Sequence, residues 1–318
     1  MIRNFIILPH IEVQNANALS SPYTIGFPAM TAWLGVMHAL QRHLNQTGSS
    51  VQFNTIGIIS HRFNLQTYKG TNDFVYSIVG TGNPLNEKGE RSPFIEEARS
   101  HLDVSLILEC KNLGMDHEGI TAQIHHILMT KMKIAAGDIQ SLKSPYIINL
   151  DDSDKTEVSR LLKSMMPGYA LIERRELMIE AMKTETDAID ALIDYLAIHN
   201  QCEIKIDDDQ NEKILWSSQR KSINGRPSGW LVPIATGFHG VSDISEAKNQ
   251  RDPDIAHRFA ESIVTLGEFK MPHRFTSIDQ ILWRYNADLE NDLYLCEQNI
   301  NAMVAIDEEL LFGESEFD

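Results

Sequence analysis

The sequence is short of the features that mark the commonest kinds of functional site. Its three cysteines, Cys110, Cys202 and Cys296, are far apart and form no CxxC pair. That argues against a disulfide framework or a thiolate zinc site and leaves reduced thiols. No apolar run approaches the ~20 residues that span a bilayer. The opening MIRNFIILPHIEV is too short an apolar run for a signal peptide and is interrupted at Pro9 and His10. The expected location is cytoplasmic, with no membrane partner. Catalytic signatures are missing as well: there is no GxSxG elbow, no GxxxxGK[ST] loop and no GxGxxG fingerprint. No cofactor is expected.

Excess basic charge is also absent. The net charge of the 318 residues is −16, which argues against a general nucleic-acid binder. The deficit is uneven: residues 1–150 carry 11 Lys and Arg against 11 Asp and Glu, whereas residues 151–318 carry 17 against 33. A polyanion site is therefore expected on the first half, or on local basic spots of the second.

Histidine is plentiful, at twelve residues, and raises the question of metal binding. His125 and His126 are adjacent and point apart on a predicted helix. His61, His101, His239 and His273 have no carboxylate at ligand spacing along the chain. No metal site is expected from these spacings.

The first half alternates strands and helices. Asn4–Val13 reads as a strand and Ala29–His43 as an amphipathic helix with Met30, Trp33, Leu34, Met37, Leu40 and Leu44 on one face. Val51–Phe63 is β-rich, and Tyr68–Val79 suggests a hairpin leading into the turn-rich GTGNPLNEKGERSP. In His101–Leu108, Leu102, Val104, Leu106 and Leu108 alternate with polar residues. Glu118–Ala135 reads as a helix and Gly137–Leu150 as a strand. This order, βα-ββ-αβ, is that of a ferredoxin-like or RRM-like α+β domain. Helices are then expected at Lys155–Met166, Arg174–Lys183, Thr186–His199, Ile255–Leu266 and Ser277–Tyr285, with Lys205–Lys213 as a charged linker and Gly229–Ile234 as a strand. The expected division is 1–150 as core with a thumb-like hairpin extension and 151–225 as helical insertion and linker. Residues 226–306 would complete the body, leaving 307–318 as a frayed acidic tail.

Between the first strand and helix lies a stretch rich in amides and hydroxyls: Gln14, Asn15, Asn17, Ser20, Ser21 and Thr24, closed by Gly26-Phe27-Pro28. Pro28 suits a first helical position, so the unpaired N–H groups of the helix would face this loop and attract an anion. A self-bonded turn of Asx and Ser/Thr type explains the same composition equally well. Arginines beside aromatics form a second signal, at Arg62-Phe63, at Arg226 near Trp230, and at His273-Arg274-Phe275. Such pairs suit single-stranded RNA, and also describe solvated arginines flanking core rings.

Several blocks then occur in order: IEVQNANALSSPYTIGFPAMTAWLGVMHALQR, GIISHRF, NPLNEKG, EEARSHLDVSLIL, MMPGYALIERREL, GWLVPIATGF and GEFKMPHRF. From Phe5 to about Tyr285 the chain resembles the second Csy subunit of type I-F CRISPR surveillance complexes, the type I-F member of the fifth Cas family. The resemblance implies a non-catalytic RNA-binding subunit with a modified RRM-like core. Such a subunit caps the 5′ handle of the CRISPR RNA, pairs with the large subunit as a heterodimer and abuts the adjacent backbone subunit. Under that reading Gln14, Asn15, Asn17, Ser20 and Ser21 read the RNA end and Arg62, Arg99, Arg226 and Arg274 hold phosphates. Phe27 and Trp230 are its stacking candidates. A metal-independent endoribonuclease using His61 or His101, and a scaffold that touches only protein, are the competing readings.

Overall fold

The sixteen-residue strand β1 (Ile2–Asn17) is an interior strand of a large antiparallel sheet. In the computed structural model the described residues are 2–79, 85–91, 97–184, 187–206, 212–223, 229–248, 250, 252 and 254–298, the side chains of 205, 206, 212 and 213 excepted. β1 pairs with β7 (Arg99–Lys111) along one edge, and β7 pairs in turn with β4 (Gln52–Leu65). On its other edge β1 takes β10 (Tyr146–Asp151) over its first half and β9 (Gly137–Ser141) near its end. All of these pairings are antiparallel, and the strand order is β10-β1-β7-β4.

Side chains alternate across this sheet. Ile6, Leu8, Leu106, Leu108 and Ile58 face one layer, with α1 (Met30–Gln46) and α2 (His117–Lys131) packed over them. α1 buries the face the sequence predicts, and its Trp33 indole donates to the Pro28 carbonyl at 3.2 Å, so no polar atom of the fully buried ring is left unpaired. Phe5, Ile7, Ile59 and Ile107 point to the opposite layer. There α3 (Lys155–Ser164), capped by Asp154 on the N–H groups of Thr156 and Glu157, covers one end of the strands.

The remaining strands extend the sheet from β4. β11 (Tyr169–Glu173) and β16 (Leu282–Asp288) both pair with β4. They are joined through β15 (Ala260–Lys270), β14 (Trp230–Gly240) and β17 (Leu293–Glu297), which closes a ring. Trp283, fully buried, donates to the Leu171 carbonyl at 2.9 Å and ties together β16 and β11, the two strands that flank β4. α4 (Arg175–Met182) and α5 (Ala188–Leu196) pack with Leu231 and Leu266 in a separate small core. Among the described residues no helix is long and apolar enough to cross a membrane.

Several boundaries differ from those expected. Ile255–Leu266 is not helical: its second half begins β15, where Ile263, Val264 and Thr265 pair with β14. These β-branched residues are stiff at χ1 and suit a pleated surface. In Ser277–Tyr285 the helical start signal is real, because Ser277 and Gln280 form a capping box. The turn stops at Ile281, and Leu282 onward is taken up by β4 and β17. α2 ends at Lys131, since Met132 is extended and Ala135 and Ala136 have φ of 47° and 62°. Gly137–Leu150 divides into two strands. The expected linker at Lys205–Lys213 is the far end of a hairpin formed by β12 (His199–Ile206) and β13 (Glu212–Gln219), with 207–211 outside the described residues. The hairpin predicted at Tyr68–Val79 is present as the short strands β5 (Thr67–Tyr68) and β6 (Ser77–Ile78). The tail beyond 298 lies outside the described residues.

Candidate nucleic-acid interface

α3 covers only one end of the sheet face opposite α1 and α2. Further along, that face carries polar side chains. Glu12, Gln14, Arg62 and Asn64 are exposed, and His101 and Asp103 are half-buried. The register explains their meeting: Arg62 and Glu12 both lie opposite Asp103, and Asn64 lies opposite His101. Paired residues on neighbouring strands share a face. Glu12, Gln14, Arg62, Asn64 and His101, together with Val13, Leu102 and Gln140, line a pocket of about 270 Å³.

The amide-rich stretch is partly strand. β1 continues through Asn17, and Leu19–Ser21 (β2) pairs with Thr24–Ile25 (β3). Asn15 sits at φ 56°, a left-handed conformation that asparagine tolerates better than most residues. Its N–H faces His101 Nδ1 at 3.3 Å, and its side-chain oxygen accepts from Gln66 Nε2 at 2.7 Å. Gln66 also lies 3.1 Å from His101 Nε2. Asn15 is thus held beside the pocket residue His101 by neighbours that are themselves polar.

The other candidates stand differently. Asn17 closes an Asx turn, donating to and accepting from the Leu19 backbone at 3.0 and 3.1 Å. Ser20 and Ser21 hydrogen-bond the Thr24 hydroxyl at 2.9 and 2.7 Å, and Ser21 is buried. For these three, the self-bonded turn describes the geometry. Pro28 is not the first helical residue: Ala29 is the N-cap, makes no side-chain cap, and the helix begins at Met30, two residues after Pro28. Arg62 faces Glu12 at 3.5 Å and Arg99 pairs with Glu97 at 2.9 Å. Arg274 is exposed on the 3₁₀ turn Pro272–Arg274, which packs against α3 and is not part of the pocket. Arg226 lies outside the described residues.

Of the two stacking candidates, Phe27 is 5 % exposed and packs on Trp33, Phe63 and Phe269, which makes it a core ring. Trp230 is 52 % exposed and rests against Tyr169 and Phe269 with centroids 5.2 and 5.4 Å away.

Sequence reasoning did not single out Asn64, Gln66 and Gln140. Arg62, Asn64 and Gln66 recur at every second position, and that period was the available signal for the first two. The expectation that His61 lacks a carboxylate is also corrected. Spacing along the chain missed that β1 and β7 bring His10 and Asp103 beside it, with His10 Nδ1 3.1 Å from Asp103.

Residues 6–296 match the family model described as CRISPR-associated protein (Cas_Csy2). The chain is also 32 % identical over 315 residues to the CRISPR-associated protein Csy2 of Pseudomonas aeruginosa (strain UCBPP-PA14), covering 91 % of this chain and 93 % of that protein. The chain therefore belongs to the Csy2 family of CRISPR-associated proteins, the type I-F family that its sequence blocks resemble.

Proposed function

We propose that this chain is a non-catalytic RNA-binding subunit of a type I-F surveillance complex in the cytoplasm, and that it caps the 5′ handle of the CRISPR RNA. In this reading it pairs with the large subunit and abuts the adjacent backbone subunit. Residues 1–150 act as an RRM-like core with a thumb hairpin, 151–225 as an insertion, and 226–306 complete the body. The strand order β10-β1-β7-β4, with both core helices on one side, supports the RRM-like assignment.

The observation that carries the proposal is the uncovered polar half of the opposite sheet face. RRM-type domains bind single strands on that face. Here the face presents a pocket lined by amides, a histidine and one arginine already balanced by Glu12. Uncharged donors and acceptors at a small site suit discrimination of bases and 2′-hydroxyls at a defined end, with little attraction for bulk RNA. Trp230 adds an exposed ring. Cleavage is assigned to other subunits, because both ring nitrogens of His61 are engaged and Ser105 beside it is buried.

The test uses the chain co-expressed with its large subunit and compares a guide bearing the native handle with one whose handle is scrambled. Gln14→Ala and His101→Ala are expected to reduce the preference for the native handle. Equal affinity for both guides in the wild-type complex would contradict the proposal.

A further inference from the structure

Beyond the pocket, on the same sheet face, two backbone irregularities aim at one point. β1 has a bulge against β7 between Leu8 and Ile11, and β4 has one between Ser60 and Arg62. His10 sits in the first, at φ 48°, and His61 in the second. Bulges re-aim side chains, and a left-handed non-glycine residue persists only where its surroundings hold it there. The two imidazoles stack with centroids 4.2 Å apart, and Asp103 reaches them from the strand between.

Hydrogen bonding orients the rings. His61 Nδ1 lies 2.6 Å from the Pro167 carbonyl, which can only accept, so Nδ1 carries the proton and Nε2 presents its lone pair. That lone pair faces the Ser105 hydroxyl at 2.7 Å, and the same hydroxyl accepts from the His10 backbone N–H at 3.0 Å. A ring N–H held on a carbonyl fixes the tautomer as it does in metal-binding imidazoles, and a metal at Nε2 would displace the Ser105 hydroxyl that donates to it.

We propose that His10, His61 and Asp103 bind one divalent transition-metal ion of the zinc class. One donor atom from each lies within 4.8 Å of the other two. Tetrahedral zinc with bonds of about 2.1 Å holds its ligand atoms about 3.4 Å apart, so binding would draw together donors that lie within 4.8 Å here. Two imidazoles and one carboxylate favour zinc or its neighbours over magnesium and calcium, which prefer all-oxygen sites. All three side chains are half-buried, which leaves the fourth position open to water. This inference does not rest on the RNA-binding reading.

The test is zinc stoichiometry on the untagged full chain, stripped with chelator and dialysed against zinc, with cobalt absorption as a probe of coordination geometry. One zinc per chain is expected, with tetrahedral cobalt bands. His10→Asn, Asp103→Asn and His61→Gln should each weaken zinc binding at least tenfold. Asparagine tolerates the left-handed backbone at residue 10 and is isosteric with Asp103, so these two variants preserve the fold independently of His61→Gln. His273→Gln, on an exposed histidine elsewhere, should change nothing. No zinc retained by the wild type, or undiminished binding by folded His10→Asn and Asp103→Asn, would overturn the proposal in favour of a hydrogen-bonded cluster alone.

Discussion

Gln66 donates to the side-chain oxygen of Asn15 at 2.7 Å, and the Asn15 backbone that presents this oxygen is left-handed. The contact joins the end of β4 to β1 across the intervening β7. It separates two roles of Asn15, one in backbone geometry and one in hydrogen bonding.

Substitution at this position should tell those roles apart. Asn15→Ala strains the left-handed backbone and is expected to cost about 1 kcal/mol of stability. Asn15→Gly relieves that strain and should leave thermal stability within a few tenths of a kcal/mol of the wild type. Both remove the Gln66 partner at the pocket rim, so handle affinity should fall alike in the two. Unequal stability with equal RNA binding is the expected pattern in paired melting and binding curves.

A buried ion pair anchors α4 to the sheet. Arg174 pairs with Glu268 of β15 and with Glu176, and Arg174 and Glu268 are both buried. Removing one partner leaves the other charge desolvated, so Glu268→Ala should destabilise by about 3 kcal/mol. Arg174→Met with Glu268→Leu replaces both charges by apolar groups and should cost less than the single change. Chemical denaturation of the two variants gives the comparison, and a larger loss in the double variant would refute it.

Glu173 supplies a pH dependence. It is 3 % exposed, and burial pushes its carboxyl up to about 7 despite the Arg175 guanidinium at 2.5 Å. Because the folded value lies above the ordinary carboxyl value of 4.5, the folded state binds the proton more tightly than the unfolded state between about pH 4.5 and 7. The contribution of this group to stability is greatest below that window and declines as pH rises through it. The wild-type melting temperature should therefore fall more between pH 5 and 7.5 than that of Glu173→Gln. Other groups titrate in the same range, so the difference between the two curves is the readout; parallel curves would contradict the assignment.

Most of the first half was legible in the sequence because period and burial agree there. Leu102, Val104, Leu106 and Leu108 alternate and all face the α1–α2 layer, and the α1 stripe of Met30, Trp33, Met37 and Leu40 is buried as spaced. The C-terminal third was misread where short apolar runs carry either period. Ser262–Thr265 acquires its strand form from pairing with β14, a contact no local signal announces. The site was half legible. Gln14 and Arg62 line the pocket and Asn15 lies beside His101, while Phe27, Ser20 and Ser21 serve the core or the turn. The meeting of His10, His61 and Asp103 depends on register and two bulges, and neither can be read from spacing.

Charge predicts weak binding to generic RNA. At net charge −16, with Arg62 and Arg99 each beside a glutamate, the isolated chain offers few free phosphate contacts. Its affinity for unrelated single-stranded RNA should be low at 150 mM salt and show a shallow salt slope. Tight, sequence-blind binding with a steep slope would contradict this.

The most direct test of the central claim is photocrosslinking from the first nucleotides of the guide within the complex, with the attachment sites mapped by mass spectrometry. The pocket reading predicts crosslinks in Glu12–Asn15, Arg62–Gln66 or at His101, reduced in His101→Ala. Crosslinks confined to other subunits, or to parts of this chain remote from the β1–β7–β4 face, would contradict it.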